Sequence, residues 1–169
     1  AIRDVRGQCS GRLQRVFYGS REPRTVTADG MFWHAPFITN HPPSTNMQQS
    51  DFVTTLFDGK GNPNKVTVAF TMALNALLKG HTACIILMVE AVELGRPDAA
   101  NGMDIGPPFE AVADLLQKYL DKGGRIAICK SCMVHNGMSA EQMDPRFEII
   151  SAPDVIDLLM GANGSLQIA

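Results

Sequence analysis

Hydrophobic residues change their spacing from residue 47 onwards, and the changes mark alternating strands and helices. Asp51–Phe57 and Ala83–Val89 are apolar runs of strand length, whereas Val66–Leu78 repeats apolar residues at the i, i+3, i+4 spacing of an amphipathic helix. The same criteria predict two more helices and three more strands, which are Phe109–Leu120, Ser151–Met160, Arg125–Ile128, Phe147–Ile150 and Leu166–Ile168. Alternation of strands and helices predicts a parallel sheet with helices on both faces.

The first 46 residues lack this regularity. They contain scattered prolines and arginines but no sustained strand or helix period, and His34–Asn46 is rich in turn residues. We therefore predict a flexible or loosely docked extension over residues 1–46 and one α/β domain over residues 47–169.

Charge excludes one class of function for the predicted domain. Residues 1–46 hold six arginines against three acidic residues, whereas residues 47–169 hold nine basic and fourteen acidic residues. Because phosphate contacts need a basic face, the acidic domain is not expected to bind nucleic acid. No apolar stretch reaches the about 18 residues of a membrane span, so no membrane partner is expected. Four unevenly spaced cysteines and the lack of a signal-peptide pattern favour the cytoplasm.

The strongest chemical signal is Cys129, which follows the predicted strand Arg125–Ile128 directly. In an open parallel sheet, ligands and chemistry gather at the carboxyl ends of the strands. The connections Asp58–Asn64, Glu90–Pro108 and Cys129–Gly137 should therefore share one edge. A thiol at the start of a helix faces backbone N–H groups and the positive end of the helix dipole, which favour the thiolate. We expect Cys129 to be an accessible nucleophile that can carry a persulfide.

Three neighbours of Cys129 are candidates to assist it. Cys132 lies one helical turn on and could attack a sulfur atom carried by Cys129, as a resolving thiol. Lys130 could stabilise the thiolate if its side chain turns toward the sulfur, and His135 could donate a proton.

Three hypotheses about the function of this segment are compatible with its sequence. A thioredoxin-like redox pair also places C-x-x-C after a strand, but only 37 residues follow Cys132 and no Trp or Gly-Pro accompanies the pair. A zinc site built from Cys129, Cys132 and His135 lacks an obvious fourth ligand, for which His81 and Cys84 are the candidates. The third hypothesis is sulfur transfer.

Residues 47–169 resemble the DsrE/DsrF-like family. The resemblance rests on the order of four segments, which are the helical stretch Val66–His81, the strand Cys84–Val89, the turn Ile105–Phe109 and the strand that ends in Cys129-x-x-Cys132. It implies a three-layer α/β/α fold with a mainly parallel five-stranded sheet, and a homotrimer or homohexamer.

The resemblance also implies a function. It places the sulfur acceptor of the relay members on Cys129, whereas the position of Cys132 is Cys in some members and small and apolar in others. The chain is therefore expected to accept sulfur as a persulfide, to exchange it with donor and acceptor proteins, and to need no cofactor and no metal. The alternative is a non-catalytic oligomeric module that binds a ligand or protein at the same edge.

Overall fold

The computed structural model describes residues 48–169, so the predicted extension over residues 1–46 lies outside the described part of the chain. Strands and helices alternate along the described residues. In chain order they are β1 (Phe52–Leu56), α1 (Pro63–Leu78), β2 (Ala83–Leu87), a 3₁₀ helix (Val89–Gly95), α2 (Val112–Asp121), β3 (Arg125–Cys129), α3 (Lys130–His135), a 3₁₀ turn (Ala140–Gln142), β4 (Glu148–Ile150), α4 (Ala152–Gly161) and β5 (Gly164–Ile168).

The five strands form one sheet in the order β4-β3-β2-β1-β5, and every pairing in it is parallel. Successive strands step from β1 to β4, after which α4 carries the chain back to place β5 beside β1. The predicted five-stranded parallel sheet is confirmed. Because all strands run the same way, their carboxyl ends lie along one edge.

Alternating side chains divide the core into two layers, one on each face of the sheet. One layer joins Leu56, Ile85 and Ile128 with α1 and α2. The other joins Val53, Cys84, Ile86, Ala127 and Ile150 with Val155 and Leu158 of α4. The predicted three-layer α/β/α arrangement is therefore confirmed, and among residues 48–169 helix α4 covers the second face.

Helix boundaries differ from the predicted ones where capping outweighs hydrophobic spacing. Helix α1 begins at Pro63 rather than Val66, because the Asn62 side chain accepts the Lys65 N–H and proline suits the first turn. Helix α4 begins with a capping box, in which Ser151 and Asp154 satisfy each other's backbone N–H groups. No helix within residues 48–169 is long and apolar enough to cross a membrane.

The connection after β2 contains a 3₁₀ helix that the spacing of apolar residues did not predict. Val89–Gly95 packs against the sheet, and a Cβ at Gly95 would lie 2.6 Å from Cδ1 of Ile128. Only glycine fits such a close approach. The segment therefore lies directly beside the end of β3, which is where the candidate thiols begin.

Tyr119 fixes the opposite, amino-terminal edge of the sheet. Its side chain is fully buried, and its hydroxyl lies 2.9 Å from the Ala83 carbonyl and 2.8 Å from the Arg125 carbonyl. The ring packs on Gly124, where an added Cβ would lie 2.5 Å from ring carbons. The contact ties the end of α2 to the starts of β2 and β3.

We predict that Gly124→Ala destabilises the domain by about 2 kcal/mol, because a methyl group there would overpack the Tyr119 ring. Urea denaturation measures the free energy of unfolding. Gly61→Ala is the matched control, since nothing lies within 4 Å of a Cβ at that position. Equal stability of the two variants would contradict the proposed contact.

Candidate active site

Three connections meet at the carboxyl edge of the sheet, as predicted. The backbone N–H of Glu90 donates to the Phe57 carbonyl at 3.1 Å, and the Lys60 N–H donates to the Glu93 carboxylate. The Asn136 side chain reaches the Val89 carbonyl from the third connection, with Nδ2 3.1 Å from the oxygen. The segments that follow β1, β2 and β3 are therefore bonded to one another around the end of the sheet.

Cys129 is the last residue of β3 and the N-cap of α3. Its predicted position at a strand-to-helix junction is confirmed, but the expected accessibility is wrong, because the residue is only 4% exposed. The strand register explains the burial: Cys129 pairs with Ile150 and points to the face that α4 covers. Its side chain makes no capping hydrogen bond, and α3 has only six residues, so the helix offers the thiol little of the predicted support.

Cys132 lies one turn along α3 and is more exposed than Cys129. Burial raises its pKa above the ordinary value, and the backbone N–H of Val89 opposes this by hydrogen bonding to the sulfur. The Cys129 thiol raises the pKa of Cys132 further, through a hydrogen bond and through its charge. The two thiols are therefore brought together, and burial favours the protonated form of Cys132.

Lys130 and His135 are not drawn toward the thiols. Both residues are exposed, and within residues 48–169 neither side chain makes a hydrogen bond or ion pair. Their predicted roles in stabilising the thiolate and donating a proton stay predictions. The contacts at the thiols come instead from the backbone and from the second cysteine.

Val89 is part of the site, although nothing in the amino-acid sequence predicted a role for it. Its φ angle is 51°, a left-handed conformation that is a genuine outlier for a β-branched residue and costs about 1–2 kcal/mol. Asn136 lies beside it and also donates to the Cys132 carbonyl at 2.8 Å. Asn136-Gly137 could have been recognised from sequence only as the end of a helix, since Gly137 takes the left-handed conformation common there.

A polar cavity of about 370 Å³ lies between the 3₁₀ helix and the segment that follows α3. Glu90, Glu93, Arg96, Asn136 and Met138 line it. Glu90 and Glu93 belong to the connection Glu90–Pro108, which was predicted to lie at this edge. They now form one wall of the concavity that leads to Asn136.

The alternative zinc site does not assemble. Within residues 48–169, no three His, Cys, Asp or Glu side chains are grouped so that they could hold a metal ion. His81 precedes β2 and so lies at the opposite edge of the sheet from Cys129. Cys84 lies near the start of β2, fully buried, and desolvation raises its pKa to about 12.

Comparison with known structures supports the fold. The YchN protein from E. coli superposes with a TM-score of 0.56 at 17% identity, covering 72% of this chain and 99% of that one. A conserved protein of unknown function from Bacteroides thetaiotaomicron gives a TM-score of 0.50 at 20% identity, covering 70% and 95%. These identities support a shared fold only.

Comparison of sequences identifies the family. An uncharacterized protein of Methanocaldococcus jannaschii is 29% identical over 105 residues, which are 62% of this chain and 38% of that protein. The chain thus spans well under half the length of that relative. The DsrE/DsrF-like family matches residues 52–164, from the start of β1 into β5, and this match includes Cys129, Cys132 and Val89. The chain therefore belongs to the DsrE/DsrF-like family, which is related in general to sulfur relay.

Proposed function

We propose that this protein is a sulfur carrier that holds sulfur as a persulfide on Cys129 and exchanges it with partner proteins. The observation that carries the proposal is the pairing of two thiols at the carboxyl edge of the sheet, one buried and one more exposed. Burial suits storage, because a persulfide on Cys129 is sheltered from solvent thiols. The free thiols fit a reducing compartment, and we propose the cytoplasm.

The loading step needs a donor that carries a persulfide. The Cys129 thiolate attacks the terminal sulfur of the donor, a new S–S bond forms on Cys129, and the donor's S–S bond breaks. The donor leaves as a thiolate, and the transferred sulfur keeps its proton. One thiolate is consumed and one is released, so no external oxidant or reductant is required.

The unloading step uses the more exposed thiol. The Cys132 thiolate attacks the terminal sulfur on Cys129, which moves the sulfur to Cys132 and releases Cys129 as a thiolate. An acceptor thiol then takes the sulfur from Cys132 by the same exchange. Burial raises the pKa of Cys132, so this thiol must lose its proton before it attacks.

We predict that incubation with a small organic persulfide adds the mass of one sulfur atom to the wild-type protein and to Cys132→Ser. Cys129→Ser should gain no such stable adduct, and loaded Cys132→Ser should release its sulfur to an acceptor thiol more slowly than the wild type. Intact mass spectrometry measures both steps. Cys84→Ser is the matched control, because it removes a buried thiol far from the edge and should leave loading unchanged.

The outcome that contradicts the sulfur carrier is the absence of an adduct with any persulfide donor. That result would favour the alternative function, a non-catalytic module that binds a ligand or protein at the same edge.

A second prediction concerns the interaction between the two thiols. Cys129→Ala should lower the pKa of Cys132, because the variant removes the hydrogen bond and the charge through which Cys129 raises it. Alkylation of Cys132, followed by peptide mass spectrometry across a pH series, should therefore be faster below pH 9 in the variant. An unchanged or slower rate would show that the thiols do not interact.

We also propose that the chain self-associates through α4. Ile156 and Met160 lie one turn apart on this helix and are 58% and 81% exposed, which is unusual for large apolar side chains. Their outward face supports the trimer or hexamer that the family resemblance implies.

We predict that Met160→Glu lowers the sedimentation coefficient of the protein by breaking an assembly at this face. Leu78→Glu is the control, because Leu78 is 58% exposed on α1, in the other helical layer. A wild-type protein that sediments as a monomer at all concentrations would contradict self-association.

A further inference from the structure

Val89 occupies a left-handed backbone conformation immediately after β2, with half of its surface exposed. A valine is held in such a conformation only where the surroundings determine it, and such positions cluster at functional sites. Apolar packing does not hold it there, because the side chain is largely in solvent. The cause must lie in the backbone contacts around it.

The two peptide groups that flank Val89 are each held by hydrogen bonds. Before Val89, the Met88 carbonyl accepts the Ala91 N–H at 2.9 Å. After Val89, the Glu90 N–H donates to the Phe57 carbonyl at 3.1 Å, and the Val89 carbonyl accepts from Asn136 at 3.1 Å. Two peptide planes fixed on either side of one Cα determine its φ angle. Within residues 48–169, Asn136 makes the only side-chain hydrogen bond among these contacts.

Asn136 also connects this turn to α3. Its second amide hydrogen points to the Cys132 carbonyl, at 2.8 Å from Nδ2. The Asn136 side chain therefore bonds both Cys132, which carries the more exposed thiol, and Val89, whose backbone N–H faces that thiol. The hydrogen bond from the Val89 N–H to the Cys132 sulfur lowers the pKa of Cys132, although burial raises that pKa by more.

We propose that Asn136 is a positioning residue, which holds Val89 in its left-handed conformation so that the Val89 N–H is directed at the Cys132 sulfur and supports negative charge there. A side chain that serves only as a helix cap would bond the carbonyl four residues earlier and nothing else. Asn136 makes that bond and a second one across to the end of β2.

This role rests on the proposed function, because it gives Cys132 the charge it needs during sulfur exchange. Cys132 must carry negative charge before it attacks the persulfide of Cys129, and negative charge returns to Cys132 when an acceptor takes the sulfur. A backbone donor supports that charge without an adjacent cation. Lys130 and His135 on α3 and Arg96 in the cavity are exposed, and Glu90 and Glu93 disfavour an anion nearby.

The test is the pH dependence of Cys132 alkylation by iodoacetamide, measured by peptide mass spectrometry in a Cys129→Ala background. Asn136→Ala should raise the apparent pKa of Cys132 by about one unit, which slows alkylation about tenfold where the pH lies below that pKa. The measurement uses no sulfur donor, so it can succeed where the persulfide assay fails, and the reverse.

Asn75→Ala is the matched control. Asn75 donates from Nδ2 to the Thr71 carbonyl at 2.8 Å, four residues earlier, on α1 and away from the thiols. It removes the same kind of bond that Asn136 makes on α3. The control variant should leave the pH profile of Cys132 unchanged.

Val89→Gly provides a rescue, because glycine adopts a positive φ without strain. Added to Asn136→Ala, it should return the Cys132 pH profile to that of the Cys129→Ala parent. If Asn136→Ala does not fold, Asn136→Ser gives the same comparison, since one hydroxyl cannot donate to both carbonyls. A pH profile that the Asn136 variants leave unchanged, or that Val89→Gly fails to restore, would overturn the positioning role.

Discussion

The parallel pairing of β3 with β2 is the constraint on which the site depends. Its register aligns Ile126 with Ile85 and Ile128 with Leu87, so β3 ends one residue beyond the point where β2 ends. Cys129 is thereby placed beside the turn at Val89, and α3 must begin against the 3₁₀ helix that follows that turn. A slip of one residue would move Cys129 to the α1 side of the sheet, because side chains alternate between faces. The buried isoleucines of both core layers make such a slip costly.

The site supports charge on sulfur with backbone dipoles rather than with cations. A partly buried thiol such as Cys132 ordinarily stays protonated, because desolvation disfavours the thiolate. The N–H of Val89 offsets part of this cost at Cys132, whereas Lys130 and His135 remain in solvent. A fixed N–H donor needs no reorganisation when charge develops. The backbone strain at Val89 is the free-energy cost of holding this N–H donor in place.

The fold could be predicted from sequence because its signals are local and repeated. The apolar runs of β1 and β2, the capping box at Ser151 and the helical period of α1 each depend on neighbours in sequence. The junction at Cys129 followed from the same pattern. The burial of Cys129 did not, because it depends on which face of β3 the α4 helix covers. The left-handed conformation of Val89 could not be predicted either, since it results from hydrogen bonds with two distant residues, which the Glu90 N–H donates to Phe57 and the Val89 carbonyl accepts from Asn136. These are 32 and 47 residues away along the chain.

Two buried cysteines on neighbouring strands differ in their position along the strand. Cys84 and Cys129 point to the same face of the sheet and belong to neighbouring strands. Cys84 lies near the amino end of β2, where it pairs with Arg125, and burial dominates and raises its pKa to about 12. Cys129 lies at the opposite end, where the sheet stops and a second thiol and a free backbone donor begin. Although both thiols are buried, only Cys129 is a candidate for chemistry. Only the strand end brings a reaction partner within reach, so Cys84 serves as packing.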